Sequence, residues 1–362
     1  MIKQLCAIAL FAILSEVSWA EGIGVIKSLT GDVSVERDLQ THASDVAVGF
    51  SLHNFDRVTT GADGIAQIVL TAASGVGATI TAKSDTSLVF EMQVDSGVKQ
   101  EAIELLNGSI SLEVQPLAAA SEFYVRTEGA LLRIRGTQFD VTTAVSGDVL
   151  VSVNEGTVQC EDANGDILFA VPQRAVEMTE GGVFRNLPVE PSHIGAFRAT
   201  WAAQRVAAFR TGAQQIALGY AERFIELQPQ FDAAYRALMS HRETLDRWYS
   251  EDRAAGSTGD IAASRTSLVG ADLLHMRRIQ FVFERVVNRI TRLEHYYEHV
   301  ARWQDTPQVS FARFFAEFQN QVADIAGRLD TVRYISKLYV QHGGALQLDS
   351  VPPIRTGLQT VQ

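Results

Sequence analysis

The stretch LLRIRGTQFDV, residues 131–141, changes the face on which its apolar residues fall. Leu132 and Ile134 alternate with arginines, as in a strand with one buried face, but beyond Gly136 the apolar Phe139 has the opposite parity. Side chains along a strand have a period of two, so this change requires a bulge or a tight corner. Glycine accepts the backbone conformations that either feature needs. The sequence therefore predicts a bulge or corner at the glycine.

Short alternating runs punctuated by glycine continue on both sides of this stretch, from residue 22 to about residue 185. They predict an all-β domain over residues 21–187. Asn164-Gly165 lies between two such runs and is typical of a two-residue hairpin turn, because both residues tolerate positive φ. Glycine precedes the runs at irregular intervals, so a strict solenoid repeat is not indicated.

The strand pattern ends at a proline-containing segment, which we take as a linker over residues 188–192. Residues 193–342 then carry the 3.6-residue periodicity of an all-α domain. Helices are predicted over residues 196–210, 213–227 and 231–249, with Pro229 ending the second. A mobile loop is predicted over residues 251–264 and a flexible tail over residues 343–362.

Two long helices form the last part of this domain, over residues 267–341. Their apolar residues recur at steps of three and four, and Pro307 marks a short reversal between them. Sustained three-four spacing predicts an antiparallel coiled-coil hairpin. Such a hairpin is either an adaptor or spacer, through which the chain could oligomerise, or part of a helical bundle without a partner. The overall expectation is an α+β multidomain protein.

The first 20 residues have an early lysine, an apolar core and a small-x-small pattern at Ser18-Trp19-Ala20. This combination predicts a signal peptide and export to the periplasm. The apolar core is shorter than the ~18 residues that a bilayer crossing needs, and no later segment is long enough, so we expect no transmembrane segment in the mature chain. Cys160 is then the single remaining cysteine and cannot form an internal disulfide.

Charge is distributed unevenly along the chain. Residues 21–190 contain 10 Lys and Arg against 24 Asp and Glu, a net charge of −14, whereas residues 191–362 contain 20 against 17, a net charge of +3. An acidic first half argues against a nucleic acid partner. The arginine-rich second half is nearly balanced, so its charges are expected to form solvated pairs on helix surfaces.

Candidate catalytic and metal-ligating residues are few. His295, Glu298 and His299 match the H-x-x-E-H spacing of one class of zinc peptidases. All three fall off the apolar seam of their helix, and a third protein ligand is not evident, so solvated histidines are the favoured interpretation. Asp162 to Asp166 resembles the start of a calcium loop, but its glycine comes one place early. We expect no cofactor and no metal.

Several elements of the β half resemble the FecR-type periplasmic domain. The resemblance rests on FDRVTTG at residues 55–61, AQIVL at 66–70, LNGSI at 106–110, RGTQFDV at 135–141 and VNEGTV at 153–158. It implies an all-β, partly solenoid-like envelope module without catalytic activity. In the namesake regulators this module senses the state of an outer-membrane transporter. The residues matching the motif's structural positions are Asp56, Gly61, Gly136, Phe139 and Gly156.

The sequence thus predicts a non-enzymatic periplasmic protein that binds or scaffolds envelope components, with an envelope protein or cell-wall component as its partner. The first alternative is a signal-transduction module that relays a transporter or envelope signal to a separate membrane regulator. A remote alternative is a zinc metallopeptidase. Arg133, Arg135 and Thr137, beside the predicted corner, are the candidate binding residues on the β domain.

Overall fold

The computed structural model describes residues 22–71, 76–95, 98–117, 121–162, 164–179, 181–255, 266–300 and 302–346. The predicted signal peptide lies outside these residues. Eighteen strands come first along the described chain and the long helices follow. The strands are β1 (Gly24–Thr30), β2 (Val33–Arg37), β3 (Gln40–His42), β4 (Ser51–Leu52), β5 (Arg57–Thr60), β6 (Ile65–Leu70), β7 (Ala78–Ala82), β8 (Ser87–Asp95), β9 (Val98–Asn107), β10 (Ser109–Val114), β11 (Ser121–Arg126), β12 (Ala130–Ile134), β13 (Gln138–Thr143), β14 (Val149–Glu155), β15 (Val158–Asp162), β16 (Ile167–Ala170), β17 (Arg174–Met178) and β18 (Phe184–Pro188).

The strands form two nine-stranded sheets that share one apolar core. Sheet A has the order β18-β17-β14-β13-β10-β7-β6-β1-β4, and sheet B has the order β16-β15-β12-β11-β9-β8-β5-β2-β3. Most neighbouring strands are antiparallel, but β9 and β11 pair in parallel. The strand between them, β10, lies in sheet A, so the chain makes one turn of a solenoid there.

The corner predicted at Gly136 is where the chain passes from one sheet to the other. Leu132 and Ile134 on β12 point into the core from sheet B, whereas Phe139 on β13 points into it from sheet A. Gly136 has φ +61°, which lies in the left-handed region and outside the extended range of either sheet.

 At this value the backbone can turn the corner, and a glycine carries no Cβ to oppose it. The change of parity in the sequence is therefore the change of sheet.

The other predicted turn is also present. Asn164 and Gly165 lie in the tight connection between β15 and β16, with Gly165 at φ +84°. The β strands end with β18 at Pro188, and a short 3-10 helix follows at Pro191–His193. The helical part of the chain begins directly after it.

Four helices follow: α1 (Ile194–Met239), α2 (Arg242–Ala255), α3 (Thr266–His299) and α4 (Phe311–Gln341). The prediction of three separate helices before the hairpin is wrong, because α1 runs unbroken through Pro229. This proline is exposed, and Leu227 and Phe231 on either side of it are buried. Burial of such side chains offsets the ~3 kcal/mol that an interior proline costs. The first residues of the predicted loop over 251–264 are also helical, as the end of α2; residues 256–265 lie outside the described residues.

α3 and α4 pack antiparallel along their length, as their spacing predicts. Near one end the rings of Tyr297 and Phe315 are 5.0 Å apart, and near the middle Gln280 Nε2 donates to Leu329 O at 3.3 Å. The pair is not a free rod, because α1 packs along α3 as well. Phe283 of α3 stacks on Phe224 and Phe231 of α1, with centroid distances of 5.5 and 4.6 Å. The helices form a bundle, and α3 also lies on the strands of sheet B.

The predicted tail over residues 343–362 is partly fixed in the fold. Leu346 is buried, and its backbone N–H donates to Gln93 Oε1 of β8 at 2.7 Å, while Gln93 Nε2 donates back to Leu346 O. The side-chain amide thus pairs with the backbone as a neighbouring strand would. Residues 347–362 lie outside the described residues.

Substitution of Gly156, which precedes β15, tests how tightly the corner is packed. It has φ +86°, and a Cβ added there would lie 2.7 Å from Thr137 Cγ2 and 2.9 Å from Gly136 O. Gly165 has nearly the same φ, +84°, with no atom within 4 Å of its added Cβ. We expect Gly156→Ala to lower the free energy of unfolding by ~2 to 4 kcal/mol and Gly165→Ala by only ~1 kcal/mol. Urea denaturation measures both; equal losses would show that the corner is loosely packed.

Candidate functional site

A row of glutamates on the outer side of sheet B faces a row of arginines on α3. The pairs that these two rows form are Arg277 with Glu91 of β8, Arg285 with Glu104 of β9, and Arg289 with Glu128 of the turn before β12. The last two pairs have N–O distances of 2.9 Å. The arginines are eight and four residues apart, so they share one face of the helix.

Five of these six side chains are almost completely buried, and that of Arg277 is 14% exposed. The outer face of β8, β9 and β11 is therefore not a solvated surface, but an interface with the helices. The expectation that the arginines of the second half form solvated surface pairs is wrong for this row. A buried charge is tolerated only when an opposite charge is close and its hydrogen bonds are made. The acidic sheet and the arginine-rich helix therefore each provide the opposite charges that the other needs for burial.

Glu91 lies between two guanidinium groups. Arg126 of β11 donates to its Oε2 at 2.5 Å, and Arg277 of α3 donates to its Oε1. Burial by itself raises the pKa of this carboxyl, but the two arginines outweigh it and lower the pKa to about 2. Arg126 also lies 3.8 Å from Glu104, so it links two of the three pairs.

A second cluster joins sheet B to both α3 and α4. Glu284 of α3 accepts from Arg57 of β5 at 2.8 Å and from Arg333 of α4 at 2.5 Å. Asp330 of α4 accepts from the same two arginines, at 3.0 and 2.5 Å. Burial raises the pKa of Glu284, but the neighbouring Arg333 and Arg57 lower it below its ordinary value. The cluster therefore holds three elements together through ionised groups.

The first turns of α1 dock on the outer face of sheet A. Trp201 Nε1 donates to Glu177 of β17 at 2.7 Å, and Arg205 lies 3.3 Å from Asp148, just before β14. Further along, Tyr220 donates to Glu128 at 2.8 Å, beside Arg289 of α3. The start of α1 thus contacts sheet A, and its middle contacts the turn between β11 and β12 of sheet B.

A small cleft opens between the β2–β3 hairpin and α4, next to the second cluster. Its cavity volume is about 40 Å³, which is room for a few water molecules at most. Lys337 of α4 closes one side by donating to both carboxylate oxygens of Asp38 at 2.7 Å. Arg37 closes the other by donating to the buried Asp56 through Nε at 2.8 Å. Burial raises the pKa of Asp56, although Arg37 counteracts it.

The predicted binding residues do not form one surface. Arg133 is partly exposed and lies over the ring of Tyr124, with its guanidinium carbon 5.3 Å from the ring centroid. Arg135 is exposed at the corner, but Thr137 is buried. Binding through Arg133, Arg135 and Thr137 stays a prediction.

The residues of the predicted structural motif lie at turns and in the core. Asp56 accepts from the His53 N–H at 2.8 Å as well as from Arg37. Gly61 donates its N–H to Asp32 O at 2.9 Å, and a Cβ there would lie 2.9 Å from the Asp32 side chain. Phe139 is fully buried between the sheets.

The zinc-peptidase candidates lie on an exposed face of α3. His295 and His299 stack with centroids 4.3 Å apart, and His299 Nδ1 is 2.9 Å from His295 O. Glu298 is exposed beside them. Within the described part of the chain, His, Cys, Asp and Glu form no group of three or more placed to hold a metal ion. This geometry provides neither a cleft nor a further ligand for a catalytic metal.

The ion pairs between sheet and helices were not found from the sequence. The only signals were the opposite charge balance of the two halves and the spacing of Arg285 and Arg289 along one helix face. Glutamates that alternate with apolar residues on a strand normally face solvent. The sequence alone therefore could not distinguish Glu91 and Glu104 from surface residues.

The Arg285–Glu104 pair allows a direct test of how strongly the interface holds the fold. We expect Arg285→Met to lower the free energy of unfolding by ~3 to 5 kcal/mol, because it leaves Glu104 buried without its closest partner. Arg313→Met is the matched control, since Arg313 pairs with Glu317 on the surface of α4 with 80% of its side chain exposed. The control should leave the free energy of unfolding almost unchanged, because solvent screens an exposed ion pair. Chemical denaturation measures both, and similar losses would contradict a structural role for the buried pair.

The low pKa of Glu91 predicts a loss of stability in acid. The carboxyl has a pKa of about 2 in the fold against an ordinary value of 4.5, so its stabilisation is complete above about pH 4.5 and is lost as the pH falls toward 2. Glu91→Gln should remove this contribution, so that the variant loses less stability than the native chain between pH 5 and pH 3. Unfolding curves at several pH values provide the measurement. Parallel pH dependence of the two proteins would contradict the assignment.

The family model that matches this chain lies within its first half. Residues 56–159 match the family model described as FecR protein. Two crystal structures of a "putative anti-sigma factor" from Parabacteroides distasonis ATCC 8503, at 1.65 and 2.50 Å, are similar over 39% of this chain and 63% of that chain, with 16% sequence identity and a TM-score of 0.33. The chain thus spans less than two thirds of that protein's length.

No curated protein matches the chain. The described helices include none that is long and apolar enough to cross a membrane. The family match runs from the start of β5 into β15, including the corner at Gly136, and it ends before the helices begin. The β half of this chain is thus similar to the FecR family over residues 56–159.

Proposed function

We propose that the protein is a non-enzymatic signal-transduction component of the bacterial envelope. Its FecR-type domain would recognise another envelope protein, and the helices packed on it would pass that event to a separate membrane regulator. The match of residues 56–159 to the FecR family supports the regulatory role. The sequence pattern of residues 1–20 supports export to the periplasm.

The interface of buried ion pairs between sheet B and α3 is the main support for this proposed relay. A row of paired charges has a defined register, and breaking any pair leaves a buried charge without its partner. Docked and undocked helices would therefore be distinct states rather than a continuum. A protein that bound the sheet in a way that shifted Glu91 or Glu104 would alter the contacts of α3 directly.

The scaffolding role expected from the sequence has less support. A spacer needs a helical hairpin that extends away from the domain that carries it. Here α3 packs on both α1 and sheet B, so its two faces are already covered by this chain. The zinc-peptidase alternative rests on His295, Glu298 and His299 alone, which share no cleft. Measurement of bound zinc in the native protein and in Glu298→Gln provides its test.

Crosslinking in the native envelope followed by affinity capture tests the relay. We expect a membrane-embedded transporter or regulator as the captured partner, and a reduced yield with Arg285→Met, which weakens the docking of α3. Arg313→Met should leave the yield unchanged. Recovery of cell-wall fragments without a protein partner would support scaffolding instead. Equal yields from both variants would contradict a relay through the sheet–helix interface.

A further inference from the structure

The four edge strands of the described sheets differ in how they are protected. Three of them are short, polar or interrupted: β4 has two residues, β3 reads Gln-Thr-His, and β18 contains Arg185 and Pro188. The fourth, β16 at the edge of sheet B, reads Ile-Leu-Phe-Ala and has neither a charge nor a proline. Edge strands usually carry such features because an open edge can pair with another strand.

The outer side of β16 is apolar and accessible. Ile167 and Phe169 point to the same side of the strand, and each is 47% exposed. They continue the outer face of sheet B beyond Gln159 and Glu161 of β15, which are their cross-strand neighbours. Among the described residues, the only strand that pairs with β16 is β15. Its other edge therefore pairs with no described strand and lies beside two large apolar side chains.

Charge is arranged asymmetrically along this edge. Asp166 immediately precedes β16, and Asp162 lies across the hairpin turn from it. At the other end, Val171 follows the strand and pairs with Arg174, whose side chain is exposed. Among the described residues, neither Asp166 nor Arg174 forms an ion pair.

 The edge is thus acidic at its start, apolar in the middle and basic at its end.

We propose that β16 is a self-association edge, where two copies of this chain pair antiparallel across a two-fold axis. Antiparallel pairing brings the acidic end of one edge to the basic end of the other, so the charges are complementary in this arrangement. Parallel pairing would place like charges together. Sheet B would then continue from one copy into the next without an open edge at β16.

The sequence of β16 suits one register in particular. With Leu168 on the two-fold axis, Ile167 of each copy lies opposite the partner's Phe169 on the outer face. Pairs of an aromatic and a β-branched residue are among the favourable cross-strand neighbours. Four residues per copy bury less than the ~800 Å² per partner of a standard interface, so the dimer forms reversibly with concentration. This proposal does not depend on the signalling role.

Sedimentation of the purified protein over a range of concentrations tests it. We expect a monomer–dimer equilibrium that Phe169→Asp weakens by about tenfold or more, because a buried charge replaces two cross-strand pairs. Ile65→Asp is the matched control: Ile65 is 43% exposed, but β6 is an interior strand of sheet A. Thermal unfolding verifies that both variants remain folded. A monomer at all concentrations, or a dimer that Phe169→Asp leaves intact, would overturn the proposal.

Two further measurements separate this edge from other modes of association. Asp166→Lys and Arg174→Asp should each weaken the dimer, and the double variant should recover part of the loss, because the exchanged charges face each other again. Leu168→Cys should form a disulfide between copies on oxidation, since residues on the axis of an antiparallel pair have Cα atoms about 4.5 to 5.5 Å apart. Cys160 is buried and does not interfere. A dimer without that disulfide, or with no recovery in the double variant, would place the contact elsewhere, for example on the helices.

Discussion

The structure depends on the burial of glutamates on the outer face of sheet B. A carboxylate such as Glu91 or Glu104 can be buried only beside a cation, because the loss of hydration costs several kcal/mol per charge. The arginines of α3 provide those cations, and α3 is in turn held by α1 and α4 through aromatic packing. These ion pairs consequently join the all-β and all-α halves through α3.

This arrangement has a consequence for stability. Pairs of buried charges contribute less than apolar contacts of the same volume, but they are specific, because any other register of α3 leaves a charge alone. The apolar core between the two sheets provides most of the stabilisation of the β half. The ion pairs between Arg277, Arg285 and Arg289 and their glutamates determine where the helices sit on it. Apolar contacts thus provide stability and ion pairs determine position, which suits a protein whose helices must dock on the sheet in one defined way.

The two outer faces of the sandwich have different roles. Sheet A receives the first turns of α1, through Trp201 and Arg205, and sheet B receives α3 over β8, β9 and β11. Toward the edge at β16, the side chains of Ile167 and Phe169 are exposed, and Arg133 of β12 is partly exposed. Arg133 is one of the residues that the sequence indicated as a binding candidate. Recognition surfaces are thus to be sought where the helices stop, not in the small cleft beside Lys337.

Local chemistry allowed the sequence alone to determine the corner at Gly136, the hairpin at Asn164-Gly165, the change from strands to helices and the antiparallel pairing of α3 with α4. Each depends on periodicity or turn residues within a short stretch. Only the tertiary structure decided that α1 continues through Pro229 and that the arginines of α3 are buried. Both outcomes depend on partners that are distant in the sequence, such as Phe283 for Phe231 and Glu104 for Arg285. Packing offsets the cost of the proline, and the glutamates of sheet B offset the desolvation of the arginines. Periodicity carries no information about such partners.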